Sequence, residues 1–466
     1  MASPAPASDA GHFRRALGVF DATMLVAGSM IGSGIFLVSA PMMRDLGSAA
    51  WLLAVWALAG AMTVTGAALY GDLVARFPRA GGQYVYLREA FGPLVGFLYG
   101  WTLFLVIQTG TIAAVAVAFA RYAAVTVPAL DGRVIAPGLS AERALAIGLI
   151  ALLTAANARG VTVGTRIQNV FTTVKVASLI ALVACCFGLG YSAEVVAANF
   201  ADPWRRPDDA LPIAAAVGSA IVGALFSSDA WNNVTFAAEE VRAPERTIRR
   251  ALVAGTTIVV TLYLAATLAY LVVLPALGAP DGAGPLERGI AHARSDRVGS
   301  AAMEAIIGRP GAVVMAAAIL VSTFGCVNGL VLSGARVSYA MAKDGLFFPA
   351  AGRLSAAGTP ATALVLQGAW ASILALSGTY GDLLDYVIFA ALLFYAATVI
   401  ATLCFGDRAG TGRRLVAIAY VAVAGAIMLD LLIVKPRYTW PGLAIVASGV
   451  PVYAWWRRRA PGPSVS

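Results

Sequence analysis

Charged residues are scarce in this chain of 466 residues. They make up 12% of it, and 60% of the residues are hydrophobic, whereas a soluble domain has about 25% charged and about 45–50% apolar residues. With so little charge the composition predicts a protein that crosses the membrane many times. The first apolar stretch, after Arg14 and Arg15, is broken by glycines and has no small-residue cleavage site, which favours a membrane span over a removed signal peptide.

Histidine and cysteine are also rare, and this limits the chemistry. The two histidines, His12 and His292, fall in a predicted tail and a predicted outer loop, and the four cysteines lie in apolar segments without metal-ligand spacing. The sequence offers no nucleophile, histidine and acid that combine into a catalytic set, and it has no P-loop motif for ATP. It therefore predicts no enzyme, no metal site, no cofactor and no disulfide framework.

The net charge of +9 is spread over many short loops rather than collected in a basic patch. Nucleic-acid binding is therefore not predicted. More of the basic residues fall on the side that holds Arg15, Arg249 and Arg458 than on the other side, and basic loops stay in the cytoplasm. Both termini are expected to be cytoplasmic, in a multi-pass protein of the cell inner membrane.

Apolar runs of about 20 residues can span a bilayer as helices. The chain has twelve such segments, at 18–43, 49–75, 92–127, 143–158, 167–190, 211–238, 250–275, 310–342, 361–378, 383–405, 413–434 and 438–456. We expect one transmembrane domain over 13–456, a disordered cytoplasmic tail at 1–12 and a second cytoplasmic tail at 457–466. The segment 77–91 is too polar to span and partly amphipathic, so we expect it to lie along the inner membrane surface.

Polar, non-helical signals interrupt the first and the sixth segment, at 32–34 (Gly-Ser-Gly) and 227–229 (Ser-Ser-Asp). The two segments are five spans apart. Because this number is odd, the two halves of the chain would insert in opposite orientations. A pair of broken helices in corresponding positions indicates a binding site near the bilayer midplane. For the first signal, the alternative is close helix packing through the small residues Gly28 and Gly32.

The sixth segment places polar side chains beside two aromatic residues. One interpretation is ordinary hydrogen bonding between helices. The other is a second unwound segment whose carbonyl groups accept an ammonium group, with Phe226 closing over the ligand. Asp229 either binds a proton or an ammonium group or reaches an outer vestibule.

Lys175 lies in the middle of an apolar run, where a charged side chain costs about 2.5–3.5 kcal/mol on insertion scales and therefore indicates function. Three interpretations stay open. Its side chain extends to the interface, it pairs with an acid in the bundle, or its ammonium group takes the place of a bound sodium ion and fixes the first span against the eighth. The third would make transport independent of sodium.

Other polar groups are open to a structural interpretation. Tyr263 and Asn328 lie inside the seventh and eighth segments, and each either packs in the bundle or contacts the ligand. The charged run 239–250 at the inner end of the sixth segment is either a solvated surface or an inner gate made of ion pairs.

Four ordered stretches resemble the amino acid–polyamine–organocation superfamily, and most closely its L-type amino acid transporter branch. They are residues 28–36 (GSMIGSGIF), 164–175 (GTRIQNVFTTVK), 230–248 (AWNNVTFAAEEVRAPERTI) and 324–345 (FGCVNGLVLSGARVSYAMAKDG). The resemblance covers the first eight segments, and the last four agree in hydropathy. It implies an all-α membrane fold of twelve helices with a LeuT-like inverted repeat: repeat one at about 18–190, repeat two at about 211–405, and helices 11 and 12 at about 413–456, with helices 1 and 6 discontinuous.

The resemblance also implies an α-amino acid as the substrate. Its carboxylate would meet the backbone of Ser33 and Gly34, its ammonium group would face carbonyls near 27–31 and 226–228, and Phe226 would be an aromatic gate. The implied substrate-binding residues are Ala27, Met30, Ile31, Gly32, Ser33, Gly34, Phe226, Ser227, Ser228 and Asn232, and the gating or coupling residues are Lys175, Phe226, Asp229, Tyr263 and Asn328. Animal members that pair with a heavy subunit carry a cysteine in the outer loop after the third span. Loop 128–142 has none, so no disulfide-linked heavy subunit is expected.

The function that we expect is sodium-independent transport or exchange of neutral L-amino acids by alternating access. Proton-coupled uptake of cationic amino acids or polyamines, which Asp229 would serve, stays open as an alternative. A more remote alternative is a receptor or scaffold that binds the ligand without moving it. Side-chain selectivity also stays open, because Asp229 and Ala230 stand where some members have two glycines.

Overall fold

The computed structural model describes residue 13 and residues 15–130, 132–208, 210–377, 380–405 and 410–459, without the side chains of 380–386, 438 and 459. The predicted tail at 1–12 and residues 460–466 of the second predicted tail lie outside the described residues. Residues 457–459, the start of that predicted tail, continue the last helix.

The first half of the chain is helical apart from one short hairpin. Its helices are α1 (Val19–Met30), α2 (Gly34–Leu37), α3 (Ser39–Leu46), α4 (Ala49–Arg76), α5 (Gln83–Phe91), α6 (Pro93–Thr102), α7 (Gln108–Thr126), α8 (Ala141–Ala158), α9 (Val161–Gly188) and α10 (Ala193–Phe200). A π-helical turn, Leu103–Ile107, joins α6 to α7, and a 3₁₀ turn, Pro128–Leu130, follows α7. The strands β1 (Val134–Ala136) and β2 (Leu139–Ser140) pair antiparallel.

The second half is also helical. It consists of α11 (Ile213–Ser227), α12 (Asn233–Phe236), α13 (Pro244–Val273), α14 (Pro285–Arg288), α15 (Val298–Ile307), α16 (Arg309–Lys343), α17 (Ala361–Ser377), α18 (Tyr380–Cys404), α19 (Thr411–Val434) and α20 (Pro436–Arg459). Short 3₁₀ turns lie at Ala238–Glu240, Arg294–Asp296 and Pro349–Gly352.

Among the described residues, nine helical segments are long and apolar enough to cross a membrane. Helices cover all twelve predicted segments, but three of them fall outside those nine. Helix α11 has 15 residues because the chain unwinds after Ser227, and α17 has 17 residues. Helix α20 is long enough, with 24 residues, but it is not apolar enough.

Helix α5 departs from its predicted place along the inner membrane surface. Its first five residues, from Gln83 to Leu87, are buried inside the protein. Gly82 allows this close packing, because its φ is +45° and a Cβ atom there would lie 2.2 Å from Oγ1 of Thr235. The amphipathic pattern of segment 77–91 is therefore directed at the helix bundle.

Helix α1 lies at the centre of the fold. It packs against α9, α13 and α16, so three helices that are distant in sequence surround its C-terminal end. The next helical turn, α2, packs against α11. This arrangement brings the ends of α1 and α11 together in the interior.

Candidate ligand site at the two helix breaks

Both predicted interruptions are present in the structure. Helix α1 ends at Met30, Ile31 is extended, and α2 begins at Gly34. Helix α11 ends at Ser227 and α12 begins only at Asn233. Ala230 lies between them with φ +64°, a left-handed conformation that is uncommon for a residue with a side chain. Each break leaves backbone groups that a buried structure has to satisfy.

The two breaks lie directly against each other. A Cβ atom on Gly34 would lie 2.1 Å from Oγ and 2.9 Å from Cα of Ser227. Glycine is therefore required for the N-terminus of α2 to approach the C-terminus of α11. Ser33 is buried just before that N-terminus, and Ser227 donates a hydrogen bond back to the carbonyl of Gly223 at 2.8 Å.

Lys175 reaches the first break from α9. It is 1% exposed, and its Nζ lies 2.5 Å from the carbonyl oxygen of Gly28 and 2.7 Å from that of Ile31. A third carbonyl, that of Ser322 on α16, lies 3.5 Å away. Within the described residues the ammonium group has no carboxylate partner. Of the three interpretations, the geometry agrees with a cation held between the first and eighth spans.

Side chains from α16 and α13 bind the other carbonyl groups of this break. Sγ of Cys326 donates to the carbonyl of Ser29 at 3.0 Å, and Oγ of Ser322 to that of Gly32 at 3.0 Å. The Tyr263 hydroxyl lies 3.1 Å from the carbonyl of Met30. Each of the five consecutive carbonyls from residue 28 to residue 32 therefore has a side-chain donor within hydrogen-bonding distance, and a ligand would use their remaining lone pairs.

Tyr263 also contacts the second break, because its hydroxyl lies 3.1 Å from the carbonyl of Ser227. Asp229 and Asn232 form a second polar group on the other side of that break. The Tyr395 hydroxyl of α18 lies 2.5 Å from Oδ1 of Asp229 and 3.3 Å from Oδ1 of Asn232. The Asn232 amide donates to Oε1 of Gln83 at 2.7 Å.

The remaining predicted site residues divide into two groups. Phe226, Ser228 and Ala27 are buried at the two breaks, and the carbonyl of Ala27 accepts the amide of Ile31 within the last turn of α1. Asn328 is not at the breaks. Its amide binds the carbonyl of Gly164 at 3.0 Å and its oxygen accepts from Asn157 at 2.9 Å, so it joins α8, α9 and α16.

Gly28 supports the packing alternative as well as the break. A Cβ atom there would lie 2.0 Å from Nε2 of Gln168 and 2.2 Å from Oγ1 of Thr172, both on α9. A Cβ atom on Gly32 would lie 3.1 Å from Sγ of Cys326. The two interpretations of this glycine-rich segment are thus compatible, since close packing of α1 is what lets Lys175 reach its carbonyls.

A cavity on the predicted outer side lies between α3 and α11. It has a volume of about 240 Å³ and is lined by residues that include Asp45, Arg121, Gly223 and Lys435. Two small cavities of about 10 and 20 Å³ adjoin Asp229. Each has room for about one water molecule.

A buried ion pair lies at the predicted inner end of the sixth segment. Glu240, just after α12, binds Arg336 of α16 at 2.9 Å, and each side chain is 1% exposed. The segment before α1 contributes backbone hydrogen bonds, from the amide of Leu17 to the carbonyl of Glu240 and from the amide of Arg242 to the carbonyl of Leu17, both at 2.9 Å. Part of the charged run 239–250 is therefore buried, as the gate interpretation requires.

Four residues that line or contact the breaks were absent from the predicted set, namely Gln83, Ser322, Cys326 and Tyr395. For Ser322 and Cys326 a signal was present, since they are four residues apart and share one face of a helix. Gln83 and Tyr395 carry no local signal, because their partners are 149 and 166 residues away in the chain.

Comparisons of the sequence with known proteins identify a family. A family model described as amino acid permease matches residues 17–451. The chain is similar to the b(0,+)-type amino acid transporter 1 of Mus musculus, with 28% identity over 83% of this chain and 75% of that protein. It is 28% identical to the Asc-type amino acid transporter 1 of Mus musculus over 97% of this chain and 84% of that protein. It is also 28% identical to the large neutral amino acids transporter small subunit 2 of Homo sapiens, over 98% and 84% respectively.

Proposed function

The chain belongs to the amino acid permease family, so it is a membrane transporter of amino acids and not an enzyme; from this premise we propose that it carries neutral L-amino acids without sodium. The fold that we propose has twelve membrane helices, with repeats at about 18–190 and 211–405 and two further helices at about 413–456. The protein lies in the cell inner membrane, and both of its termini are in the cytoplasm. Loop 128–142 has no cysteine, so the carrier works without a disulfide-linked heavy subunit.

The position of Lys175 is the observation that supports sodium independence. Broken helices of transporters bind Na⁺ through unwound backbone carbonyls. Here the Lys175 ammonium group lies at hydrogen-bonding distance from two such carbonyls of the first break. A fixed positive charge of the protein occupies the place that a sodium ion would need, and it joins the two helices whether or not sodium is present.

The substrate binds between the two breaks. Its carboxylate lies at the backbone around Ser33 and Gly34, where α2 begins. The first amide groups of a helix point toward an anion, and the helix dipole favours negative charge there. Its ammonium group binds the second lone pairs of carbonyls at the ends of α1 and α11, and Phe226 covers it. Access alternates between the outer cavity of about 240 Å³ and an inner side that the Glu240–Arg336 pair closes.

Uptake into proteoliposomes tests this function directly. The purified carrier, in vesicles with and without amino acid inside, is tested with a panel of radiolabelled amino acids in sodium-free buffer. We expect uptake of neutral L-amino acids that internal substrate stimulates. Uptake that requires sodium would contradict the proposal, and saturable binding without any uptake would favour a receptor or scaffold.

Asp229 supports a second candidate, which is proton-coupled uptake of cationic amino acids or polyamines. Its carboxylate is buried beside the second break and accepts a hydrogen bond from Tyr395. A positively charged substrate group or a proton would neutralise it. Arginine or putrescine uptake that rises with an inward proton gradient, in the same vesicles, would favour this candidate over the first.

A further inference from the structure

Helix α5 contributes one amide side chain to the site, that of Gln83. This side chain is fully buried, and both ends of its amide are bound. Nε2 donates to Oγ1 of Thr398 on α18 at 3.0 Å, and Oε1 accepts from Nδ2 of Asn232 at 2.7 Å. Gln83 thus joins α5, the second break and α18.

The direction of these hydrogen bonds follows from Thr398. Its hydroxyl has one proton, which it donates to the carbonyl of Phe394 at 2.8 Å, so it can only accept from Gln83. Gln83 must therefore turn its NH₂ group toward Thr398 and its oxygen toward Asn232. Asn232 in turn must present its NH₂ group to Gln83.

This order determines what Asn232 presents on its other side. Its Oδ1 faces the Tyr395 hydroxyl at 3.3 Å. That hydroxyl has one proton and lies closer to the Asp229 carboxylate, at 2.5 Å, to which it donates. The small cavity of about 10 Å³ that these residues line is therefore flanked by two acceptors, Oδ1 of Asn232 and the Asp229 carboxylate.

We propose that Gln83 is a positioning residue for substrate recognition: it holds the Asn232 amide so that its oxygen faces the site and binds a hydrogen-bond donor of the substrate. The inference rests on the proposed transport of amino acids and assigns no contact between Gln83 and the substrate. If the amide of Gln83 were lost or reversed, Asn232 would be free to turn its NH₂ group toward the site.

Two nearly isosteric substitutions test this orientation. Gln83→Met removes both hydrogen bonds of the amide, and Thr398→Val removes the acceptor that fixes its direction. We expect each to raise the KM for amino acid uptake about tenfold and to leave Vmax within about threefold. Because both act on one chain of hydrogen bonds, the double variant should have the KM of Gln83→Met alone.

A conservative variant and a matched control separate positioning from a general loss of packing. Gln83→Glu keeps the acceptor for Asn232, and its KM should stay within about threefold of the wild type. Gln367→Met removes another buried glutamine, on α17. Its amide donates to the carbonyl of Val331 on α16, at 3.2 Å. This control should keep the wild-type KM, whatever its effect on the amount of inserted carrier.

The outcomes distinguish this inference from the proposed function. An unchanged KM in Gln83→Met, or effects of Gln83→Met and Thr398→Val that add, would overturn the positioning role while transport by the wild type stands. A wild-type carrier that takes up no amino acid would overturn the proposed function itself, and the inference with it.

Discussion

The ammonium nitrogen of Lys175 lies 2.7 Å from the carbonyl oxygen of Ile31, in the middle of the first helix break. Lys175 is on α9 and Ile31 follows α1, so a buried charge joins two helices that pack side by side. Removing one partner of a buried polar contact leaves the other without its hydrogen bond, at about 1–3 kcal/mol. The break therefore depends on the lysine for its shape.

Replacing Lys175 by methionine should reduce transport at least about tenfold. The side chain is similar in size, but the carbonyl of Gly28 loses its donor, and that of Ile31 keeps only the Ser322 hydroxyl, at 3.2 Å. A loss of 1.4 kcal/mol corresponds to about a tenfold change. Uptake in sodium-free proteoliposomes measures the effect. Lys343→Met is the control, because Lys343 is exposed and its Nζ lies over the Tyr339 ring away from the breaks. Unchanged uptake by the Lys175 variant would remove the idea that this lysine replaces sodium.

Replacing Gly34 by alanine should also impair transport. The new Cβ atom would lie 2.1 Å from Oγ of Ser227, and such overpacking costs about 1–3 kcal/mol. Ser227→Gly in the same chain removes the nearest clash and should restore part of the uptake. Gly412→Ala in α19 meets no atom within 4 Å and serves as the control. Wild-type uptake by Gly34→Ala would mean that the two breaks do not need to be so close.

Local sequence signals were sufficient to predict the positions of the two breaks and the buried lysine. Glycine and small polar residues are concentrated at 32–34 and at 227–229 in otherwise apolar segments, and this local pattern predicted an interruption without knowledge of the fold. The same holds for Lys175, whose charge is anomalous in its own helix.

Contacts between distant segments were not predictable in this way. Nothing around Gln83 indicates that Asn232 is its partner, and the amphipathic pattern of α5 fits a membrane surface as well as it fits a protein interior. Asn328 looked like a possible ligand contact from its polarity alone, whereas its partners Asn157 and Gly164 place it between helices.

Asp229→Asn tests which substrates the second break accepts. Asparagine is nearly isosteric and still accepts from Tyr395, so only the charge is lost. We expect uptake of neutral amino acids to stay within about threefold, and any uptake of arginine to fall about tenfold or more, because hydrogen bonds to charged groups contribute about 1.5–3 kcal/mol. The control is Asp430→Asn. Asp430 is an acidic residue of α19 that packs against Gly218. Loss of neutral uptake in Asp229→Asn alone would assign Asp229 to the transport of every substrate.

Breaking the buried pair of Glu240 and Arg336 should destabilise the carrier. Glu240→Gln leaves the Arg336 charge buried without its partner, which costs about 3–5 kcal/mol, whereas replacing both residues by apolar ones is often neutral. Thermal unfolding in detergent should therefore show a large drop for Glu240→Gln and a much smaller one for Glu240→Met combined with Arg336→Leu. Arg44→Gln breaks the exposed pair with Asp296 and should change the melting temperature little. Equal drops for the single and double variants would mean that the charges do not stabilise each other.

The Tyr263 hydroxyl lies 3.1 Å from the carbonyls of both Met30 and Ser227 and has a single proton. It can donate to only one of them at a time, so the bond can pass from one break to the other when the helices move during transport. Tyr263→Phe keeps the ring, which packs edge-on against Trp56, and removes the bond. We expect the maximal uptake rate to fall about five- to tenfold, since a neutral hydrogen bond contributes about 0.5–1.5 kcal/mol.

Tyr270→Phe is the matched control for this prediction. Tyr270 lies two turns further along α13 and is equally buried, and the described part of the chain offers its hydroxyl no hydrogen-bond partner. Its loss should leave the uptake rate unchanged and make the carrier slightly more stable, because an unpaired buried hydroxyl is removed. If the two substitutions lowered the rate equally, the loss of any buried tyrosine hydroxyl in α13 would cause the effect, and not the loss of the bond between the breaks. A loss confined to Tyr263→Phe would assign it to the bond between the two breaks.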